Sequence, residues 1–120
     1  MNDVKKLPSN NPSALKKALD DGPVVASIKA GNPIFRNYAF GILDTPDCGS
    51  KFNNDNYDHS VLVVGYGMSI KGGNYFVIKN SFGTNWGDQG YAKIAAHNVD
   101  SEEGTCGILS NLYQPIVKKN

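Results

Sequence analysis

The chain has 120 residues, 40% hydrophobic and 19% charged, with twelve basic against eleven acidic side chains and a formal net charge of +1. That is the size and composition of one globular domain with a real core. It offers no field to draw in nucleic acid or an anionic membrane, and no apolar run approaches the ~20 residues of a membrane-spanning helix.

The opening, `MNDVKKLPSNNPS`, has no apolar segment of the signal-peptide kind. Residues 1–12 read as a flexible lead-in, and 13–120 as the domain. In `NPSALKKALDDG`, Asn11 is placed to cap a helix with Pro12 at its first position. Ala14, Leu15, Ala18 and Leu19 then share one face, and Gly22 is the stop. `VVASIKA` reads as a strand. The stretch from Gly31 to Asp58 is rich in turn residues, with a helical turn expected near Phe35 to Ala39; a loop of that length inside a compact domain is usually functional. `HSVLVVGYG`, `GNYFVIKNS` and `GYAKIAAHN` are strand-like runs, the first two joined as a hairpin through residues 70–73. `LYQPIV` supplies a last strand. The expectation is an α+β domain: a mostly antiparallel partial barrel or twisted sheet with one or two flanking helices.

His59 stands where a polar loop enters the valine-rich strand `HSVLVVGYG`, and it is one of only two histidines. Asn80 leaves the next strand 21 positions later, at the head of `KNSFGTNWGDQGY`, which carries three glycines, Phe82 and Trp86. Taken alone, each residue has an ordinary structural explanation. A hairpin of seven- or eight-residue strands, however, returns the chain so that the two meet. An asparagine oxygen can accept one imidazole N–H and aim the other nitrogen outward, and a base held by a third group is what nucleophilic catalysis requires.

Four segments in order, `GPVVASIKA`, `DCGSKFNNDNYDHSVLVVGYG`, `YFVIKNSFGTNWGDQGYAKI` and `TCGI`, resemble papain-family, cathepsin-like cysteine proteases from about Ser13 to Val117. The resemblance implies the right-hand, β-rich domain of that fold, with His59 as general base and Asn80 as its orienting partner. Phe82 stands where the family usually has a tryptophan over the His–Asn hydrogen bond, and Trp86 matches the family's loop, supporting the leaving-group side of the cleft or the core. Ser27, Tyr57, Ser60 and Asn111 would line the pocket that sets substrate preference, and Asp58 would help hold a cysteine–histidine ion pair or lie on the surface. Cys48 and Cys106 form no C-x-x-C and are too few for zinc; residue content alone leaves two thiols or one disulfide. The resemblance implies that they join, closing 58 positions, worth about 4 kcal/mol in a chain-entropy estimate, and implies a lysosomal, vacuolar or secreted setting.

The family's nucleophile lies in a Q-x-x-x-C-G-x-C-W-type segment upstream of its histidine. Here no glutamine precedes Gln89 and no Cys-Trp pair occurs. The chain therefore resembles the C-terminal half of such an enzyme, without a cofactor or metal. It would be inactive until joined by a cysteine-bearing N-terminal half, acting then on peptides and met by a propeptide or a cystatin-type inhibitor. The alternative is a non-enzymatic binding or inhibitory module that lacks the nucleophile.

Overall fold

The computed structural model describes residues 3–9, 11–28, 33–43, 59–70, 73–96 and 105–116. Strand β1 (Asp3–Lys6) is followed by helix α1 (Pro12–Leu19), β2 (Val24–Ile28) and the short helix α2 (Pro33–Arg36). Then come β3 (Ile42–Leu43), β4 (His59–Ser69), β5 (Gly73–Lys79), β6 (Tyr91–Ala95) and β7 (Asn111–Ile116). The strands form one seven-stranded sheet in the order β1-β7-β2-β4-β5-β6-β3. It is open, with β1 and β3 at its edges, and every pairing is antiparallel except β3 with β6.

Helix α1 begins as its sequence dictates. The Asn11 side chain accepts the Ala14 N–H at 3.0 Å, Pro12 occupies the first position, and Leu15 and Ala18 turn inward. The helix ends at Asp20, and Gly22 follows at a φ of 151°. Gln114 of β7 ties this end down by donating to the Ala18 and Gly22 carbonyls.

The lead-in expected over residues 1–12 contains a strand. Asp3–Lys6 pairs with Ile116–Tyr113, and Leu7 is buried behind it. The described side chains of β1, Val4, Lys5 and Lys6, are exposed, so no inward-facing alternation marks it. Its stability comes from backbone pairing with a strand a hundred residues away. The helical turn expected near Phe35 to Ala39 lies slightly earlier, at Pro33–Arg36, and β3 was not foreseen.

The core is a continuous cluster in which Leu15, Val24, Ile28, Phe35, Val63, Phe76, Ile78, Ile94 and Leu112 are nearly or wholly inaccessible. β4 supplies it by alternation, Val61 and Val63 facing in. A bulge between Val63 and Gly65 shifts the register against β5, so that beyond it Tyr66 and Met68 take the face shared with buried Phe76. The hairpin runs out past the core there, leaving Met68 78% exposed.

Candidate active site

The β4–β5 hairpin returns the chain as its length requires. Leu62 opposes Lys79, and the residues beyond each, His59 and Asn80, meet at the same end of the sheet. The His59 Nε2 atom lies 2.6 Å from Asn80 Oδ1. The Ser81 backbone N–H also donates to that oxygen, at 2.7 Å. A backbone N–H can only donate, so the shared atom is the carbonyl oxygen of the amide, and His59 Nε2 must carry the hydrogen. In the neutral imidazole, Nδ1 is then left with its lone pair. The pair of bonds to one oxygen fixes the tautomer and the ring orientation together.

Asn80 is held by its surroundings. It is only 6% exposed, its own N–H donates to the Gly90 carbonyl at 2.9 Å, and Gly90 N–H donates to Trp86 O at 2.8 Å. These bonds fold residues 81–90 back on themselves. Gly87 makes the fold possible: its φ is 61°, and a Cβ there would lie 2.6 Å from the Tyr91 carbonyl and 3.2 Å from the Tyr38 ring. The Asn80 Nδ2 group is buried with no acceptor among the described residues, a cost of about 1–3 kcal/mol. Its side chain is placed for the histidine, at the expense of its own amide.

Aromatic rings surround the imidazole. Phe82 stacks on His59 with centroids 4.7 Å apart and planes at 28°. Phe35 approaches edge-on at 6.4 Å. Trp86 is in the core, 7% exposed, and meets Phe82 at right angles rather than the histidine. Its indole N–H donates to the Phe35 carbonyl at 3.0 Å, fastening the 81–90 loop to α2. Phe35 is the participant that sequence reading missed: it comes from a turn-rich stretch without periodicity, and only its aromatic character could have marked it.

Tyr38, two residues past α2, closes the far side of this assembly. Its hydroxyl donates to the Gly41 carbonyl at 2.5 Å and accepts the Lys93 N–H at 3.2 Å. Burial pushes its phenol above the ordinary value near 10.0, the Lys93 hydrogen bond works against that, and the Asp88 carboxylate adds to it.

Of the remaining sequence candidates, Ser27 lies opposite Ser60 on β4 and opposite Asn111 on β7. The three thus form one row across β7, β2 and β4, on the face opposite buried Ala26 and Val61. Ser60 also lines a hollow of about 410 Å³ with Val25, Leu62, Lys79, Asn80 and Ser81. Tyr57, Asp58 and Cys48 lie outside the described residues. Cys106 is disulfide-bonded and 1% exposed, at a φ of 58° in a 3₁₀ turn. Among the described residues no group of His, Cys, Asp and Glu could hold a metal ion.

A histidine whose tautomer is set by an asparagine, under an aromatic ring, is an arrangement in which an imidazole can serve a nucleophile as its base. Comparison with known proteins agrees: the sequence profile of the papain family of cysteine proteases matches residues 1–116, and the chain belongs to that family. A cathepsin L-like peptidase of Aedes aegypti is 44% identical over 112 residues, covering 92% of this chain and 31% of that protein. Chymopapain of Carica papaya is 40% identical over 111 residues, covering 92% of this chain and 29% of its own length. The chain thus spans about a third or less of the curated relatives it matches. The bromelain protease of Ananas comosus, solved with the inhibitor E64, superposes with a TM-score of 0.81 at 33% identity, over 96% of this chain and 50% of that one. The ragweed allergen Amb a 11, a cysteine protease solved in its proform, gives 0.82 at 31% identity, over 98% and 34%.

Proposed function

We propose that this chain is the base-carrying half of a papain-like cysteine endopeptidase, inactive alone and completed by a cysteine-bearing half of the same protease. The observation that carries the reading is the His59 Nε2–H···Oδ1 Asn80 bond under Phe82. With Nε2 committed to Asn80, Nδ1 is the nitrogen free to serve a thiol. A thiolate beside it favours the doubly protonated imidazole, since opposite charges a few ångströms apart stabilise each other's ionised form. The thiolate attacks the peptide carbonyl, and the Nδ1 proton passes to the departing amine. Nδ1 then takes a proton from the water that hydrolyses the acyl-enzyme. Throughout, Asn80 keeps the ring oriented and Phe82 keeps water from one face of it.

Neither cysteine of this chain is a candidate nucleophile: Cys106 is disulfide-bonded and buried, and the pairing we propose for it is with Cys48. A structural disulfide fits a lysosomal, vacuolar or secreted protein. The hollow lined by Val25, Leu62 and Ser81 beside Asn80 is where the cysteine half would sit, and the row of Ser27, Ser60 and Asn111, joined by Tyr57 and Asp58, would contact the acyl side of a peptide. Propeptide or cystatin-type inhibitor would occupy the same cleft.

The test mixes this chain with the cysteine half of its protease, titrates with a thiol-directed epoxide and follows a fluorogenic peptide. Cleavage should require both halves and fall by about 10²–10⁴-fold in His59→Ala, the usual weight of a general base. Halves that associate yet neither label nor turn over would replace this reading with a non-enzymatic binding module.

A further inference from the structure

Tyr38 has different surroundings on its two sides. On one it packs against Trp86, ring centroids 5.5 Å apart, within the aromatic cluster. On the other it walls a hollow of about 290 Å³ along β6, whose described lining includes neither His59 nor Phe82. Val77 and Lys93, paired across β5 and β6, line it together with Asp88, Gln89 and Tyr91. The hollow thus carries one charge of each sign. Asp88 and Lys93 are both exposed, and neither makes an ion pair among the described residues. The Lys93 ammonium lies instead 5.1 Å from the centroid of the Tyr75 ring. Opposite charges that line one hollow without meeting suit a ligand that carries both, each end finding its counter-ion. The volume is at the low end for ligand sites and has room for a molecule the size of an amino acid.

The same residues belong to the frame that holds the imidazole. Asp88 lies in the loop that lays Phe82 on His59, and it exchanges two backbone hydrogen bonds with Tyr91, at 2.9 and 3.0 Å. Lys93 donates its N–H to the Tyr38 hydroxyl. A molecule that bridges the two side chains therefore ties the 81–90 loop to β6 beside Tyr38. From Tyr38 the rings run through Trp86 and Phe82 to His59, with successive centroids 5.5, 5.9 and 4.7 Å apart.

We propose that this hollow is an effector site for a free α-amino acid with an apolar side chain, and that its occupancy is felt at His59 through the ring series. The ammonium of the ligand pairs with Asp88 and its carboxylate with Lys93, drawn off the Tyr75 ring. Its side chain lies against Tyr91 and Val77. Both charged residues are exposed, so each pairing is modest and weakens with salt. Binding here does not require the cysteine half, and it is tested on this chain alone.

The experiment titrates the chain, labelled at histidine, with L-phenylalanine at constant pH and ionic strength and follows it by NMR. The His59 resonance is assigned by its loss in His59→Ala. N-acetyl-L-phenylalanine, which lacks the ammonium, and L-phenylalaninamide, which lacks the carboxylate, are titrated alongside. L-Phenylalanine should saturate with a Kd of about 1–10 mM, in keeping with a dozen non-hydrogen atoms. The His59 resonance should move along that same curve. Each blocked analogue should bind about threefold more weakly, the size of one exposed ion pair. Asp88→Asn should abolish the advantage over the acetylated analogue, and Lys93→Met the advantage over the amide. Absence of saturation, equal binding of the three ligands, or advantages that survive both substitutions would overturn the site. Saturable binding that leaves His59 unmoved would overturn its role as an effector site. None of these results bears on the peptidase reading, which is tested by cleavage.

Discussion

The two ends of the β4–β5 hairpin are built from the same strands and treated in opposite ways. At the His59–Asn80 end, a ten-residue loop folds back and places Phe82 and Trp86 over the chain, while α2 brings Phe35 in from another direction. At the turn end, past the bulge, Met68 and Ile70 stand 78% and 104% exposed, and Tyr66, 46% exposed, reaches Asp20 with its hydroxyl at 3.3 Å. Burial is concentrated where a polar pair has to be held in one geometry. The same end carries the unpartnered Asn80 Nδ2. Sites that hold a polar group for chemistry commonly carry such a local cost and offset it with packing elsewhere.

The sharpest way to break this contrast is to remove one apolar side chain from each end. Trp86→Ala takes out a 7% exposed ring that touches Phe35, Tyr38 and Phe82 and is hydrogen-bonded through its indole. It should cost about 3–5 kcal/mol, as large aromatic-to-alanine changes in cores do. Met68→Ala should stay within about 0.5 kcal/mol, as surface changes usually do. Urea unfolding of both variants decides the matter: comparable midpoint shifts would mean that the turn end is packed after all and that the asymmetry has no energetic content.

Much of this arrangement was legible in the sequence, for reasons that can be named. Alternation in `HSVLVVGYG` and `GNYFVIK`, with glycines between them, defines the hairpin, and hairpin arithmetic brings His59 to Asn80. Asn11-Pro12 at the head of an apolar-periodic run defines α1. What stayed hidden had no local signal. β1 forms through backbone pairing to β7, with all its described side chains outside. The bulge after Val63 transfers the core face to Tyr66 and Met68, which period-2 reading assigns to the opposite side. Phe35 joins the aromatic cluster through tertiary contacts, among them the Trp86 indole N–H bonded across 51 positions to its carbonyl, which no spacing encodes.

A second test separates orientation from stability at the site itself. Asn80→Ala removes the acceptor of both the His59 and the Ser81 N–H, which costs stability, but it also removes the orphaned Nδ2, which returns some. The net change in unfolding free energy should therefore lie within about 1 kcal/mol. Activity of the reassembled protease should fall roughly 100-fold, at the low end of what general-base catalysis contributes, because His59 is free to take the other tautomer. A parallel shift in the pH–rate profile would mark a positioning role. A variant that loses several kcal/mol while keeping its rate would show that Asn80 is a structural residue and that the aromatic rings alone hold the imidazole.

The smallest effect concerns whether the site end is also the first to loosen in alkali. Tyr38 packs on Trp86 at 5.5 Å and joins Gly41 to Lys93 through its hydroxyl. Its phenol is raised above the ordinary value near 10.0, chiefly by burial, so the folded chain holds this proton more tightly than the unfolded one. The associated stability is complete below the unfolded value and is lost as pH rises through the higher, folded one. Tyr38→Phe cannot ionise, so it should be less stable at neutral pH for want of two hydrogen bonds, yet should lose less between about pH 9 and ~11. Urea midpoints across that range, with tyrosinate absorbance followed alongside, measure the difference directly. With six tyrosines in the chain, only the wild-type minus Tyr38→Phe slope is diagnostic. Equal slopes would mean that Tyr38 ionises no later than a free phenol, and that the clasp between Gly41 and β6 contributes nothing that depends on its proton.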